Sequence, residues 1–403
     1  MKRIALITSR FPYGGKEAFL AEEISELSRV CDLVIVPALP TKEPATARHV
    51  PSVRLRLFSA AVLAAAAAEA FRAPAKALRA FFAVARAPRS LGSKCKNVLA
   101  YPTGLAAARV LRKRRVEHVH AYWLAIPATV AYVAATMNDL PWSATGHRYD
   151  LVDSNMSGAG LHDSFISTAR FIRTISKAGE QRVRGALGRD VPARLFTAHL
   201  GVRLPSQSVT PRAPERFRLI CAANLEYVKG HGVLLEAVAC ALAEGIAVDC
   251  TLAGDGSLRR SLETRARMLG LADRVHFEGF VPHDRLLDAM QSGTYDAAIL
   301  TSVDEGPHEC EGIPMFLAES MAAGLPVIAT RSGAVEELVD SSNGILCPLG
   351  NARSVAAAIA TLSRDPALAR RLGAAGRLTV ERRFNAAENA RQVAQLLGVE
   401  GAA

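Results

Sequence analysis

Two carboxylates with seven residues between them, Glu311 and Glu319, are the sharpest chemical feature of the sequence. They lie in Thr301–Glu319, TSVDEGPHECEGIPMFLAE. An apolar run ends there, an acidic glycine-containing loop follows, and Gly312-Ile313-Pro314 opens a helical pattern. Proline suits a first helical turn because its missing N–H has no intrahelical partner there. The amides near Gly312, Ile313 and Met315 are then expected to be free donors at a helix N-terminus, suited to an anion or to the polar edge of a sugar. Glu311 falls just before the helix and Glu319 about one and a half turns inside it. Carboxylates at that spacing can accept from different hydroxyls of one elongated ligand. Taken alone, the pair is more simply a helix-start acid and a solvated one.

Other candidates carry less. Gly254-Asp255-Gly256 read alone is a tight strand–helix turn rather than a phosphate cradle. His120 is open between a core histidine satisfied by its neighbours and a functional one. His308, Glu309, Cys310 and Glu311 invite a metal, but consecutive side chains do not converge on one ion, so no metal is expected. No Ser–His–Asp arrangement stands out. The seven cysteines (31, 95, 221, 240, 250, 310 and 347) include no CxxC and no zinc spacing. They read as reduced thiols in a cytosolic protein. No signal peptide is expected, because the apolar run between Arg3 and Arg10 is only Ile4–Ile7.

The elements that must position these residues alternate between strand and helix, twice over. In the first half, strands are expected at Lys2–Thr8, Asp32–Ala38, Glu117–Ala121, Trp142–Gly146, Phe171–Ser176 and Leu195–His199, with helical spacing over Ala18–Ser28. The Ala-rich Leu57–Ala87 should form two helices broken at Pro74, followed by a helix near Asn97–Arg112. His118–Asn138 has no formally charged residue, yet its two histidines, Pro127 and polar side chains read as a strand end and a buried helix rather than a membrane span. Leu204–Arg218, with three prolines and little apolar period, is the clearest linker.

A second series follows. Its strands are expected at Phe217–Ala222, Val248–Ala253, Arg274–Glu278, Asp296–Thr301, Pro326–Thr330 and Gly344–Cys347. Its helices are His231–Ala243, Leu258–Leu269, Asp284–Gln291, Pro314–Ala323, Arg353–Ser363 and Ala386–Leu397. Such alternation predicts two doubly wound parallel sheets covered by helices, and 403 residues suffice for two such domains. Ligands of these sheets bind outside the carboxyl ends of the strands.

Charge divides the same way. Residues 1–205 hold 30 Lys and Arg against 14 Asp and Glu, a balance of +16; residues 206–403 hold 19 against 24, a balance of −5, and together these give the net +11. A basic half suggests an anionic surface as its partner. The Ala-rich 57–96 stretch mixes Phe and Leu with Arg and Lys at helical spacing, which suits an amphipathic face on anionic lipid. A solvated face is the plainer reading. Nucleic acid is not expected, because no recognition motif accompanies the basic clusters.

EGIPMFLAE followed by SMAAGLPVIATRSGAVEELV resembles the donor-site signature of the retaining GT-B glycosyltransferases of family four. The agreement continues through Gly333 and Glu336, Leu225 with Lys229-Gly230, Leu252-Ala-Gly254-Asp255-Gly256 and Val275–Val281. In the first half, Phe11-Pro-Tyr-Gly14-Gly15 with Glu17 is similar to the family's first glycine loop. His118–Ala121 and Ser143–His147 look like its two His-bearing strand ends. The resemblance covers essentially the whole chain and is strongest over 217–350.

It implies a GT-B architecture, α/β with two Rossmann-like doubly wound domains and an interdomain cleft. An acceptor domain would span 1–204 and a nucleotide-sugar domain 205–384, with a last helix, 385–403, packing back on the first. The implied activity is retaining transfer of a hexosyl-type sugar from a nucleoside diphosphate to an acceptor hydroxyl, in bacterial exopolysaccharide or lipid-linked glycan assembly. By resemblance, Glu319 would bind ribose; Glu311, Gly312, Ile313, Pro314 and Met315 would surround the sugar; Lys229 would meet the diphosphate. Gly14 and Gly15 would admit that diphosphate, and His147 would lie near the reacting carbon, making His147 and Glu311 the catalytic candidates.

No cofactor is implied beyond the nucleotide-sugar substrate. The implied partners are that donor, a glycan or lipid-linked acceptor and an anionic membrane surface met by the basic first domain. The implied location is the cytoplasm, at the inner face of the cell membrane. One departure stands out: Asn224 occupies the position where the family often has an arginine. It keeps one alternative open, a catalytically silent GT-like partner subunit; a second, a GT-B nucleotide-sugar epimerase, is argued against by the two glutamates.

Overall fold

The computed structural model describes residues 1–13, 15–45, 50–86, 91–147, 150–151, 165–187, 194–206, 208–209, 215–304 and 310–399. The chain divides into two compact units, Met1–Gly201 with Ala386–Ala403, and Val202–Asn385. The division falls at Gly201/Val202 because the Val202 amide donates to the Phe384 carbonyl at 2.8 Å. That bond ties the residues just before the linker to the second unit.

In the N-terminal unit, β1 (Arg3–Thr8), α1 (Ala21–Val30), β2 (Asp32–Pro37), α2 (Ala60–Arg72), α3 (Pro74–Arg86) and α4 (Leu91–Lys113) come first. Then follow β3 (His118–Ala121), α5 (Ile126–Asn138), β4 (Trp142–Gly146), β5 (Ile172–Thr174), α6 (Lys177–Leu187) and β6 (Leu195–Thr197). The strands form one parallel sheet in the order β2-β1-β3-β4-β5-β6. After Arg3 and Asp32 at their starts, β1 and β2 run apolar through Ile4–Ile7 and Leu33–Pro37, because both faces of a parallel sheet are covered. The uncharged 118–138 stretch is β3 and the buried helix α5. Among the described residues no helix is long and apolar enough to cross a membrane.

The C-terminal unit runs β7 (Phe217–Ala222), α7 (His231–Ala243), β8 (Val248–Ala253), α8 (Arg259–Met268), β9 (Val275–Gly279), α9 (His283–Gln291) and β10 (Ala297–Leu300). It continues with α10 (Met315–Ala322), β11 (Val327–Thr330), β12 (Ile345–Cys347), α11 (Ala352–Arg364) and α12 (Pro366–Arg383). Its sheet is also parallel, in the order β12-β11-β10-β7-β8-β9. The strand order therefore reverses between β7 and β10, which is where a doubly wound sheet opens a crevice for ligands. A single apolar core runs through this unit, from Leu219 and Ile220 to Val380.

The last helix, α13 (Ala386–Leu396), belongs to the N-terminal unit. Its Ala390, Val393 and Ala394 share a core with Ile24 and Leu27 of α1. Lys2 secures the helix end by donating to the Leu397 carbonyl at 2.8 Å.

Candidate functional site

The switch point of the C-terminal sheet gathers the residues that the sequence singled out. A short 3-10 turn, Tyr227–Lys229, follows β7 and ends on Gly230 at φ +65. A Cβ on Gly230 would stand 1.8 Å from the Thr301 carbonyl oxygen, so only glycine lets the loops after β7 and β10 abut. Two bonds stitch those loops together: Thr301 Oγ1 to the Gly230 carbonyl at 2.9 Å, and the Val303 amide to the Val228 carbonyl at 2.9 Å.

The result is a charge pair between residues 82 apart in sequence, with Lys229 Nζ donating to Glu311 Oε2 at 2.5 Å. The same oxygen accepts from Ser302 Oγ at 3.0 Å, and the Glu311 amide donates to Ser332 Oγ at 2.9 Å. Ser332 in turn donates to Asp304. Glu311 is buried and Lys229 half-buried. Desolvation of such a pair is offset only by good geometry and further hydrogen bonds, and Ser302 supplies one.

Glu319 is five residues into α10 and half-buried, with His283 Nε2 of α9 at 2.8 Å from its Oε1. Two expectations change here. Pro314 caps the helix instead of occupying its first turn, because α10 begins at Met315. The Gly312 amide is not a free donor: it donates to Glu311 Oε1 at 3.1 Å. Among the described residues the Ile313 and Met315 amides meet no acceptor. Asn224 is exposed at the exit of β7. Gly254 and Gly256 lie against the backbone of Ala223 and Leu225 in a tight turn. His308 and Glu309 fall outside the described residues.

A second cluster stands at the switch point of the N-terminal sheet. Gly14 lies outside the described residues; Gly15 begins a 3-10 turn, Gly15–Leu20. Glu17 of that turn is buried and accepts from the Arg10 and Phe11 amides at 2.5 and 2.6 Å, and from Trp123 Nε1 after β3. His147 follows β4, with its ring 4.5 Å from Trp123 and 5.6 Å from Phe19, centroid to centroid. Burial, and then the Arg173 charge, press its pKa down to about 3, so the imidazole is neutral at pH 7. Its Nε2 is buried and meets no partner among the described residues.

Asp150 braces the loop by accepting from the amides of Leu124 at 2.9 Å and His147 at 3.2 Å. Burial pushes its carboxyl up to about 7. His120 is a satisfied core histidine, 2.8 Å from Ser143 Oγ and 2.9 Å from Thr145 Oγ1.

Sequence reasoning missed Ser302, Ser332, His283 and Asp150. The first three reach the site from residues 9 to 36 positions away. Asp150 stood only three residues after His147, a spacing that offered a local signal.

Residues 205–379 match the family described as glycosyl transferases group 1. The chain is 33% identical over 181 residues to the amylovoran biosynthesis glycosyltransferase AmsK of Erwinia amylovora, covering 45% of this chain and 44% of AmsK. It is 31% identical over 212 residues to WcaL of Salmonella typhimurium, provisionally named a colanic acid biosynthesis glycosyltransferase, covering 51% of each. The chain thus spans about half the length of the curated relatives it matches. Its fold is similar to that of Anabaena HepE in complex with UDP, at a TM-score of 0.73 and 19% identity, covering 99% of this chain and all of that one. Two parallel α/β domains of this kind make the fold GT-B.

Proposed function

From the match of residues 205–379 to the glycosyl transferases group 1 family we propose that the whole chain is a retaining glycosyltransferase. It moves a hexosyl-type sugar from a nucleoside-diphosphate sugar to an acceptor hydroxyl. The observation that carries this reading is the Lys229–Glu311 pair, 2.5 Å apart at the switch point of the C-terminal sheet. There a cation, a carboxylate and the helix-start amides of Ile313 and Met315 stand together, the set that a diphosphate joined to a sugar requires.

In this reading Glu319 accepts from the ribose hydroxyls and displaces His283. Glu311 turns from Lys229 to the sugar hydroxyls, and Lys229 turns to the diphosphate. The bond from the anomeric carbon to the diphosphate oxygen breaks as the acceptor oxygen bonds to the same face. The acceptor proton passes to the leaving diphosphate. Lys229 offsets the charge growing on that group, an electrostatic contribution placed where charge develops. His147 of the N-terminal unit, a neutral imidazole at pH 7, is the other catalytic candidate in this reading.

HepE was solved with UDP and with UDP-glucose, which supports a nucleotide-sugar donor, and the names of AmsK and WcaL support an exopolysaccharide setting. The other partners in this reading are a glycan or lipid-linked acceptor and an anionic membrane surface. Nucleic acid is not among them. The enzyme works at the cytoplasmic face of the membrane and needs no cofactor.

Thermal shift with UDP-, GDP-, ADP- and dTDP-sugars, on wild type and on Glu319→Ala, tests the assignment. A donor at about 100 times its Kd stabilises the site by about 2.7 kcal/mol, and the variant should lose that gain. A second reading, a catalytically silent subunit, draws on the exposed Asn224 and predicts no stabilisation by any of the four.

A further inference from the structure

The N-terminal sheet ends on β6, and α13 returns close enough to that open edge for residues of both to line one cavity of about 300 Å³. The proposed reaction makes no use of it. Arg170 and Arg194 stand in its wall. They precede β5 and β6, and the Ile172 amide donates to the Arg194 carbonyl at 3.0 Å, which sets the two strand entries side by side. His147 follows the other end of β4, so the arginines and His147 lie at opposite ends of the sheet.

Neither guanidinium meets an acid or a carbonyl among the described residues. Arg3, Lys76, Arg112, Arg173 and Arg184 of the same unit all pair with acids. Glu180, the acid that reaches the cavity wall, is already engaged: it accepts from Thr197 Oγ1 at 2.6 Å and from Arg184 at 2.8 Å. A third cation stands close by. The point where a Gly398 Cβ would sit is 2.8 Å from Lys2 Nζ and 3.9 Å from the Arg170 guanidinium. The positive field reaches the buried His118, whose pKa is pressed down to about 3 by burial and then by Lys2 and Arg170.

The rest of the wall suits the body of a small polar molecule. Phe196 and Leu396 are apolar and half-buried, and Phe196 is braced edge-on by the buried Phe171 at 6.3 Å. Alternate residues of β6 bond to β5, with the Ala198 amide on the Thr174 carbonyl at 3.0 Å. The Thr197 amide therefore points to the open edge. Gln392 adds an exposed side-chain amide from α13. The helix is pinned beside the strand by Asn389, which donates to the His199 carbonyl at 3.1 Å.

We propose that this cavity binds the phosphate monoester of a monosaccharide. Arg170 and Arg194 hold the phosphate, Phe196 and Leu396 take the carbon face of the ring, and Gln392 and the Thr197 amide meet its hydroxyls. A phosphate monoester carries close to two negative charges, which two guanidiniums without acids match, and guanidinium geometry fits phosphate oxygens. The volume lies at the lower end of small-molecule sites, which suits one sugar ring rather than a nucleotide.

Calorimetry on the full chain at constant ionic strength tests this, with glucose 1-phosphate, glucose 6-phosphate, mannose 6-phosphate, glucuronate and inorganic phosphate as probes. At least one sugar phosphate should bind about tenfold or more tightly than glucuronate or inorganic phosphate. Loss of one charge-assisted contact is worth at least about tenfold, so Arg170→Gln and Arg194→Gln should each weaken that ligand by this factor. Both side chains are exposed and unpaired among the described residues, so the variants should keep the wild-type urea midpoint. Arg184→Gln, outside the cavity, should bind like wild type. The ligand should also slow amide exchange over 195–198 and 386–396.

The proposal is overturned if none of the three sugar phosphates binds, if inorganic phosphate binds as tightly as they do, or if both arginine variants bind like wild type. Glu319→Ala separates this site from the donor site. Sugar-phosphate binding that survives Glu319→Ala belongs to the cavity; binding lost in that variant and kept in the arginine variants would place the ligand in the C-terminal unit and overturn the assignment. A chain that no nucleotide sugar stabilises would lose the donor reading and leave this cavity unaffected.

Discussion

Gly333→Ala should damage the candidate site through one contact. Gly333 has φ +51, and a Cβ there would stand 1.9 Å from the Glu311 carbonyl oxygen and 3.0 Å from Cys310 Sγ. Ordinary Cβ contacts begin near 3.4 Å, so the Glu311 backbone must retreat by about 3.4 − 1.9 = 1.5 Å. That oxygen also accepts from the Ala334 amide at 3.1 Å, a bond the retreat would break. A left-handed backbone costs a residue with a Cβ roughly 1–2 kcal/mol, and overpacking adds typically 1–3, giving about 2–5 kcal/mol in all. Gly245→Ala is the control: φ is +81 but nothing lies within 4 Å of its Cβ. It should lose only the roughly 1–2 kcal/mol backbone component. Urea denaturation reads both variants. Site geometry must hold within about 0.5 Å and a misplacement of about 1 Å can cost 10²-fold in rate, so Gly333→Ala should also lose about that much turnover with the donor found by thermal shift. The reasoning is falsified if Gly333→Ala unfolds alongside Gly245→Ala and keeps wild-type turnover.

Lys229→Ala leaves the buried Glu311 carboxylate without its cation and should cost about 1–3 kcal/mol, below the 3–5 of a fully buried pair. Adding Glu311→Gln should recover part of that stability in a double-mutant cycle, while donor binding stays lost. Glu23→Gln should cost more, about 3–5 kcal/mol, because Arg173 and Glu23 are both fully buried and joined by bonds of 2.7 and 2.6 Å; urea midpoints that match wild type would refute this. Stability should fall on acidification. His118 and His147 are held at about 3, His231 at about 4 and His120 well below 6.5, each chiefly by burial. Their contribution is full above the unfolded 6.5 and is lost as pH drops through the native values. Asp150, raised to about 7, opposes this: its contribution is present below 3.8 and lost as pH rises through 7. Between pH 4 and 6 four histidines outweigh one carboxyl by about three protons, so urea midpoints that rise toward pH 4 would contradict the assignment. His283→Ala frees Glu319 from its 2.8 Å partner and should leave donor affinity equal or tighter by calorimetry; a tenfold loss would mean that His283 itself holds the donor.

The strands were legible because parallel sheets bury both faces. Trp142–Gly146, Phe217–Ala222 and Val248–Ala253 fall residue for residue where the apolar runs placed them, and Pro74 separates α2 from α3 as its ring geometry requires. Helix α12, Pro366–Arg383, was not anticipated. Its buried side includes Ala369, Gly373 and Gly376 beside Leu372 and Val380, and small residues that admit close backbone approach leave little hydrophobic period to read. The candidate site was legible as residue types along the chain but not as pairings. Nothing between Lys229 and Glu311 announces a contact across 82 positions; the strand order, with β10 beside β7, brings them together.

That order also explains why the site's charges face one another. Lys229 and Glu311 leave adjacent strands at their carboxyl ends, and Glu319 lies within reach of α9. These groups meet protein partners: Lys229 with Glu311, His283 with Glu319, and Asp304 with Ser332. A half-buried cation and a buried carboxylate without such partners would carry a desolvation cost that the unit would have to offset elsewhere. In the proposed reaction a diphosphate sugar exchanges these partners one for one, its phosphate replacing Glu311 at Lys229 and its hydroxyls replacing Lys229 and His283 at the carboxylates. Such an exchange leaves each of these groups with a partner, so the loops after β7 and β10 can keep their stitching bonds as the donor binds, although the diphosphate brings more negative charge than Lys229 alone offsets. A ligand that offered only the phosphate would leave Glu311 buried and unpaired, which favours the complete donor over its nucleotide fragment.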